Sequence, residues 1–339
     1  MRTVRIPMVA ASFFLLIFTA CANNQQAQSP DDGSASKTSL RVVTTVAPVT
    51  NIIANVVGEK GSVEGIIPEG EDSHTFEPSP EVAKTFQQAD IIFFNGLNLE
   101  IPALRLAESS KSSATPIVLL GENTITPDAY AFDFSFPKEK GDPNPHLWMN
   151  PVYAAQYAKV AARELGKLSP RDASYFEARA ERFARERIEP LDRAIFEAVS
   201  TVPPEKRKLL TYHDSFAYFA PRYGFSVIGA IQPADFSEPT ARDVAALIEQ
   251  IKREQVPAIF GSEVYPSKVL ETIAKETGAR YVTDLRDDTL PGEPGDLEHT
   301  YVGMMVENVS IIVEALGGNA SALKAVPVSD LESTPRKNR

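Results

Sequence analysis

Cysteine is almost absent from this chain, which has Cys21 as its single cysteine among 339 residues. One cysteine cannot form a disulfide within the chain, so other interactions must hold the fold. A zinc site built from thiolates needs several cysteines and is excluded for the same reason. Any metal in this protein would therefore be held by nitrogen or oxygen ligands.

Basic clusters and long hydrophobic runs are also missing. The net charge is −11, and the one basic run is the terminal Pro335-Arg-Lys-Asn-Arg339. Nucleic-acid-binding surfaces concentrate lysine and arginine, so no nucleic-acid partner is expected. The longest apolar run, Met8–Phe18, is shorter than the roughly 20 residues that a membrane-spanning helix requires.

The first 20 residues have the pattern of a secretion signal, because Arg2 and Arg5 precede the apolar run. The sequence Phe18-Thr-Ala-Cys21 then resembles the cleavage box of bacterial lipoproteins, with Phe18 in place of the usual leucine. We predict a signal peptide over 1–20, a lipidated Cys21 and a flexible tether over 21–38. An ordinary cleaved signal with an incidental Cys21 is the alternative. Either way, the protein should be exported across the inner membrane, then anchored to the cell membrane or held in the periplasm.

Short apolar strands and helices alternate from Leu40 onward, a pattern typical of parallel sheets covered by helices. The alternation runs through 39–168, stops at one long predicted helix over 169–202, and restarts over 203–318. We therefore predict an α/β fold with two Rossmann-like lobes joined by a single long helix. Pro190 lies inside this helix and should kink it or end its first half. The segment 319–339 has no lasting periodicity and is predicted to be a flexible tail.

Histidine is scarce, with four residues in the chain, yet three of them occupy equivalent positions. His74, His146 and His213 each follow a strand or loop and lead into a helix. An open α/β sheet binds its ligand outside the carboxyl ends of its strands, and neutral imidazole is the commonest metal ligand. These three positions predict a metal site. His299, near a helix start, is not expected to take part.

Each of the three histidines has an alternative role without a metal. These roles are an exposed loop residue for His74, packing beside Trp148 for His146 and a helix-start hydrogen bond for His213. Any one of them would explain a single histidine. The shared placement of all three favours metal binding.

A fourth ligand should be a carboxylate from the loop that follows the last predicted strand, Arg280–Val282. Asp284 is the expected ligand, because it stands at the end of that strand. Asp287 and Asp288 are nearby alternatives. Most aspartates in such loops are solvated or cap a helix, so position is the only argument for any of them.

The histidines lie in motifs that together resemble the substrate-binding lipoproteins of bacterial ABC importers for zinc and manganese, the cluster A-I or zinc-solute-binding family. Asp72-Ser-His74-Thr-Phe-Glu-Pro-Ser-Pro80 is similar to the family's Asp-Pro-His-x-Phe/Tyr-Glu-Pro-x-Pro. Asn144-Pro-His146-Leu-Trp148 is similar to Asp-Pro-His-x-Trp, and the stretch beginning His213-Asp-Ser-Phe is similar to the third ligand motif. The resemblance extends from Leu40 to Gly317.

This resemblance implies that His74 and His146 from the first lobe, with His213 and Asp284 from the second, hold one divalent metal in the cleft between the lobes. It also implies a monomer that delivers this metal to an ABC permease and its ATPase. The metal would be cargo, so no enzymatic activity is expected.

Three imidazoles and one carboxylate suit Zn²⁺, which favours four-coordinate, nitrogen-rich sites. Mn²⁺ is the alternative, because family members with this ligand set can carry it and the histidine-rich loop of many zinc-specific relatives is missing. Acids and aromatics occupy 125–141 instead. A zinc-dependent hydrolase would need an open coordination position and a general base, and no His-Glu-x-x-His motif occurs. A surface adhesin is a further alternative, since lipid anchoring suits both import and adhesion.

Overall fold

The structure, a computed structural model, describes Met1 and residues 39–234, 236–264 and 268–332, without the side chains of Thr283 and Asp284. The predicted signal peptide, Cys21 and the predicted tether lie outside these residues, as does the end of the chain from 333. Residue contacts define a compact unit that begins at Ser39. Within the described residues, no helix is both long and apolar enough to cross a membrane.

The first lobe contains a four-stranded sheet with the strand order β2-β1-β3-β4, in which all neighbours are parallel. Its strands are β1 (Leu40–Thr44), β2 (Gly61–Gly65), β3 (Ile91–Phe94) and β4 (Ile117–Leu119). Its helices are α1 (Ala47–Val57), α2 (Pro80–Gln88), α3 (Ile101–Ser110) and α4 (Pro151–Leu168). All four residues of β3 are buried, as expected for an inner strand of a parallel sheet covered on both faces.

The predicted long helix is a helical run whose pitch changes near its middle. A 3-10 turn (Pro170–Asp172) leads into α5 (Ala173–Phe183), a π-type segment (Ala184–Ile188) and α6 (Glu189–Ser200). Pro190 has no N–H to donate to the preceding turn, and a wider π-type turn accommodates such an interruption. The structure thus places a change of helix type just before Pro190, where the sequence predicted a kink or an end.

The second lobe repeats the topology of the first, with parallel strands in the order β6-β5-β7-β8. Its strands are β5 (Lys208–Thr211), β6 (Ser226–Ala230), β7 (Ala258–Ser262) and β8 (Arg280–Leu285). Its helices are α7 (Ala220–Tyr223), α8 (Ala241–Glu254), α9 (Lys268–Thr277) and α10 (Tyr301–Ala315). The prediction of an α/β fold with two lobes is confirmed.

Two elements of the second lobe differ from their predicted bounds near the histidines. The helix predicted over 215–223 is reduced to α7, which begins at Ala220 because Pro221 favours a first-turn position. The last strand is longer than predicted and runs to Leu285. Asp284 therefore lies inside this strand rather than after it.

One hydrophobic core runs through both lobes and the helices between them. It includes Phe93 of the first sheet, Phe183 of α5 and Met304 of α10. A smaller cluster that includes Leu210 and Ile251 packs against the second sheet. Because the lobes share the larger core, we expect only small movements of one lobe against the other.

The C-terminal segment, predicted to be flexible, packs against the body over 319–332. Leu323 and Leu331 are buried, and the Asp330 carboxylate accepts a hydrogen bond from Asn55 of α1 at 2.7 Å. The prediction is wrong for this part of the tail. Its apolar residues are too widely spaced to form a periodic pattern, yet Leu323 and Leu331 are each buried in the core.

Candidate metal centre

The three predicted histidines meet at the carboxyl ends of the strands. Nε2 of His146 lies 3.2 Å from Nε2 of His74 and 2.9 Å from Nε2 of His213. All three ring nitrogens are within 4.8 Å of one another. A tetrahedral ion with bonds of about 2.0–2.1 Å to nitrogen would separate two such atoms by roughly 3.3 Å. The imidazoles therefore have a spacing that suits one shared ion.

Hydrogen bonds at Nδ1 fix the tautomers of two of these rings. Nδ1 of His146 lies 2.8 Å from Oδ1 of Asn144, and Nδ1 of His213 lies 2.6 Å from Oε1 of Gln232. An amide oxygen only accepts hydrogen bonds, so each Nδ1 must carry the proton. Each Nε2 atom then presents a lone pair that can bind a cation.

Asn144 is itself held by groups from both lobes. Its Nδ2 donates to the backbone oxygen of Asp214 at 2.7 Å and to the Asp133 carboxyl group at 3.2 Å. Burial raises the pKa of Asp133 to about 8, and the charge of Asp214 adds to this effect. The orientation of the His146 ring thus depends on a buried polar network that crosses the cleft.

The environment keeps two of the imidazoles neutral. Burial lowers the pKa of His74 well below its usual range, and the neighbouring His213 lowers it further. The pKa of His146 is lowered in the same way, first by burial and then by the other two histidines. Because metal binds the neutral ring, these shifts favour the form that can coordinate.

Two buried aspartates stand beside the histidines, directly after β8. Oδ2 of Asp287 lies 3.5 Å from Nε2 of His213. This oxygen and Oδ1 of Asp288 are buried and accept no hydrogen bond within the described part of the chain. Burial raises the pKa of both carboxyl groups well above the ordinary range. Unsatisfied buried oxygens of this kind fit a cation as their missing partner.

Glu263, at the end of β7, fixes the loop that carries these aspartates. Its Oε1 accepts hydrogen bonds from the backbone N–H groups of Asp287 and Asp288 at 2.8 and 3.1 Å. Asp284, the carboxylate expected from the sequence, lies within β8, and its side chain is outside the described residues. Asp287 approaches the ring of His213, whereas the Asp72 carboxylate accepts a hydrogen bond from the backbone N–H of His74 at 2.8 Å.

The sequence did not reveal several residues around the rings. Gln232 follows β6 directly, at the same edge of the sheet as His213, and this position was an available signal. Phe136 and Phe236 contact the histidine rings but stand in loops without any pattern. Trp148 was named from the sequence, and it does pack beside His146 at a ring-centroid distance of 5.0 Å. Its indole N–H donates to the backbone oxygen of Asp287.

His299 lies away from this cluster, as predicted from its place in the sequence. Its Nε2 is 3.2 Å from Oε1 of Glu69, and its Nδ1 is 3.2 Å from the backbone oxygen of Pro291. It is therefore engaged with another loop and serves as an internal reference for the other three histidines.

Residues 42–315 match the family model described as "Zinc-uptake complex component A periplasmic". The chain belongs to this family. It is 28% identical over 314 residues to the metal ABC transporter substrate-binding lipoprotein FimA of Streptococcus parasanguinis, covering 92% of this chain and 99% of FimA. It is 29% identical to the iron-binding protein YfeA of Yersinia pestis, covering 91% and 96% of the two chains. The manganese ABC transporter lipoprotein PsaA of Streptococcus pneumoniae is 27% identical, covering 92% and 99%.

Solved structures support the same relationship. The periplasmic zinc-binding protein TroA from Treponema pallidum superimposes with a TM-score of 0.73 at 28% identity, covering 81% of this chain and 98% of TroA. The Mn-bound periplasmic metal-binding protein from Candidatus Liberibacter asiaticus gives a TM-score of 0.68 at 25% identity, covering 81% and 98%. The family resemblance noted in the sequence motifs is confirmed.

Membership of this family defines the general role of the protein. It is a metal-binding, extracytoplasmic substrate-binding component of an ABC uptake system. The family consists of transport components, so the protein is not an enzyme. The relatives differ in the metal for which they are named, since zinc, manganese and iron all occur among them.

Proposed function

We propose that this protein captures a single divalent transition metal, zinc in preference, and delivers it to the permease and ATPase of an ABC importer. The proposed ligands are Nε2 of His74, His146 and His213 and a carboxylate, for which Asp287 has the best support. The convergence of the three Nε2 atoms carries this proposal. Cargo binding, rather than catalysis, agrees with a ligand set that leaves no position for a reacting water.

Zinc is favoured by the chemistry of the donors. Three nitrogen ligands and one carboxylate suit a four-coordinate ion, and zinc binds more tightly than manganese at nitrogen-rich sites. Manganese is the second candidate, since relatives such as PsaA are named for it. Metal availability in the host, rather than intrinsic affinity, would then decide the cargo.

The proposed ligands come from both lobes, which links metal capture to the arrangement of the lobes. His74 and His146 follow strands of the first sheet, whereas His213 and Asp287 follow strands of the second. A bound ion would therefore fasten the lobes together and create the surface that a permease recognises. One protomer supplies all four ligands, so the protein is proposed to act as a monomer.

Metal analysis tests this function directly. Protein purified without added metal is analysed for bound ions, stripped with a chelator, and titrated with Zn²⁺ and Mn²⁺ in competition. We expect one metal per chain and a higher affinity for Zn²⁺. A stripped protein that binds neither ion at a stoichiometry of one would contradict the proposal.

The carboxylate ligand is identified by exchanging single aspartates for asparagine, which keeps the shape and removes the charge. Asp287→Asn is expected to lower zinc affinity by about tenfold or more, because a ligand that neutralises the ion is lost. Asp284→Asn is expected to leave affinity nearly unchanged. Competition with a chromophoric chelator measures both constants.

The matched pair separates the two candidate ligands. A loss in Asp284→Asn with no loss in Asp287→Asn would assign the carboxylate to Asp284, as its position in the sequence first indicated. Unchanged affinity in both variants, and in Asp288→Asn, would remove these carboxylates from the ligand set.

Membrane attachment is proposed to depend on Cys21. In a Cys21→Ser variant the site for the lipid is lost, so the protein should move from the membrane fraction to the soluble fraction. Its zinc affinity should not change, because the metal ligands lie in the folded body. Fractionation after a high-salt wash measures the effect, and a variant that stays fully membrane-bound would contradict lipidation of Cys21.

A further inference from the structure

Two phenylalanine rings, one from each lobe, flank the histidine cluster. The ring of Phe236 stacks on His74 at a centroid distance of 4.4 Å and an interplanar angle of 17°. The ring of Phe136 lies 5.5 Å from His74 and 5.8 Å from His146. The two phenylalanine rings are also 5.9 Å from each other. They form a continuous apolar surface, here called the aromatic wall, beside the most accessible of the three imidazoles.

The backbone holds Phe236 in a conformation that is unfavourable for a bulky residue. Its φ is +57°, in the left-handed region that side chains with a β-carbon rarely adopt. A hydrogen bond from its N–H to the backbone oxygen of Pro233, at 2.9 Å, closes the turn. In this conformation the ring of Phe236 stacks on His74. The backbone conformation therefore agrees with this tertiary contact and not with the intrinsic preference of phenylalanine.

Contacts across the cleft hold the two halves of the aromatic wall together. Oγ of Ser135, next to Phe136, donates to the backbone oxygen of Gln232 at 2.8 Å. Nζ of Lys140 donates to the backbone oxygen of Ala234 at 3.0 Å. These bonds join the loop of Phe136 to the loop of Phe236.

A small cavity borders the aromatic wall on the side of His74. Its volume is about 90 Å³, and its lining includes His74, Phe136, Phe236 and Lys140. A cavity of this size has room for water beside His74. Truncation of a wall ring would extend this space along the ring of His74 toward the metal ligands.

We propose that Phe136 and Phe236 determine metal selectivity by denying water a place in the coordination shell. The inference rests on the proposed function, because it concerns an ion held by His74, His146 and His213. Aromatic rings supply no ligand atom and exclude the space in which a bound water would sit. Zinc is satisfied by four protein ligands, whereas manganese favours six-coordinate, oxygen-rich shells that usually include water. The aromatic wall thus disfavours manganese although it supplies no ligand atom.

The test is the pair of variants Phe236→Ala and Phe136→Ala, each titrated with Zn²⁺ and Mn²⁺ in competition. The ratio of zinc to manganese affinity is expected to fall by about tenfold or more in each, a size typical of changes next to metal ligands. Visible absorption of the Co²⁺-loaded protein gives an independent signal. The intense band of four-coordinate cobalt should weaken in both variants as water joins the ion.

Two controls separate exclusion of water from general loss of structure. Phe236→Leu keeps apolar bulk without an aromatic ring and should retain most of the wild-type ratio. Phe134→Ala removes a phenylalanine from the same loop as Phe136 at a position that is 48% exposed, and it should behave as wild type. If one alanine variant fails to fold, the other wall position supplies the same measurement.

An unchanged affinity ratio together with an unchanged cobalt band in the folded alanine variants would overturn this inference and leave the histidine site intact. An equal fall in Phe134→Ala would overturn it too, because the effect would not belong to the aromatic wall. Failure of the wild-type protein to bind zinc would instead refute the proposed function, so the two failures are distinguishable.

Discussion

Zinc affinity is expected to fall by about a hundredfold or more when His146 is replaced by alanine, since changes to the mere hydrogen-bond partners of metal ligands already cost about 10–100-fold. His146 lies at the centre of the cluster, because its Nε2 is 3.2 Å from Nε2 of His74 and 2.9 Å from Nε2 of His213. Its loss removes one ligand and also leaves the amide oxygen of Asn144 without its ring partner. Isothermal titration or chelator competition on metal-free protein measures the change.

His299→Ala is the matched control for this prediction. It removes the fourth histidine, which contacts Glu69 and lies outside the cluster, so zinc affinity should be unchanged. Circular dichroism and melting of the metal-free proteins show whether either change disturbs the fold. A folded His146→Ala protein with wild-type zinc affinity would refute the assignment of the site.

The architecture was predictable because its signals are local. Alternating apolar strands and helices predicted two parallel sheets, and Thr240 followed by Asp243 is a local signal of the same kind at the start of α8. The structure shows that start as a capping box, in which each of these two side chains bonds the backbone of the other residue. The three histidines were predictable for a related reason, since His213 follows the end of β5 and the loops that carry His74 and His146 follow the ends of β2 and β4.

The carboxylate was harder to predict because strand ends depend on pairing. Local preference suggested that the last strand ended at Val282, but β8 continues because Leu285 pairs with Ser262 of β7. This extension places Asp284 inside the strand and makes Asp287 and Asp288 the first acids after it. A difference of three residues in the strand end therefore changes which aspartates come first after the strand.

The aromatic wall could not be predicted, because no periodic pattern leads to it. Phe136 and Phe236 are far apart in sequence and meet only when the two lobes are assembled. The positive φ of Phe236 opposes the intrinsic preference of its residue type. Departures of this kind, where local preference yields to tertiary contacts, tend to occur at functional sites.

The affinity for zinc is expected to stay high near neutral pH and to fall steeply only in acid. The folded protein lowers the pKa of His74 and His146 below the ordinary value of about 6.5, mainly through burial. These rings remain neutral at pH 7, so protons compete with zinc only as the pH falls through the lowered pKa values. Each ring that must lose a proton then contributes about a tenfold loss per pH unit, and two rings together about a hundredfold.

The aspartates should contribute proton competition of the same sign at a higher pH than ordinary carboxyl groups would. Burial, with the charge of Glu263 as the next cause, raises the pKa of Asp287. At pH values above the usual carboxyl pKa, this group can still carry a proton, which must leave when zinc binds. Calorimetry in buffers of different ionisation enthalpy counts the released protons, and Asp287→Asn should release fewer while keeping the steep loss in acid. A steep loss of zinc affinity already at about pH 6.5, the ordinary histidine pKa, would contradict the lowered pKa values of these rings, and equal proton release by the wild-type protein and Asp287→Asn would refute ligation by that carboxylate.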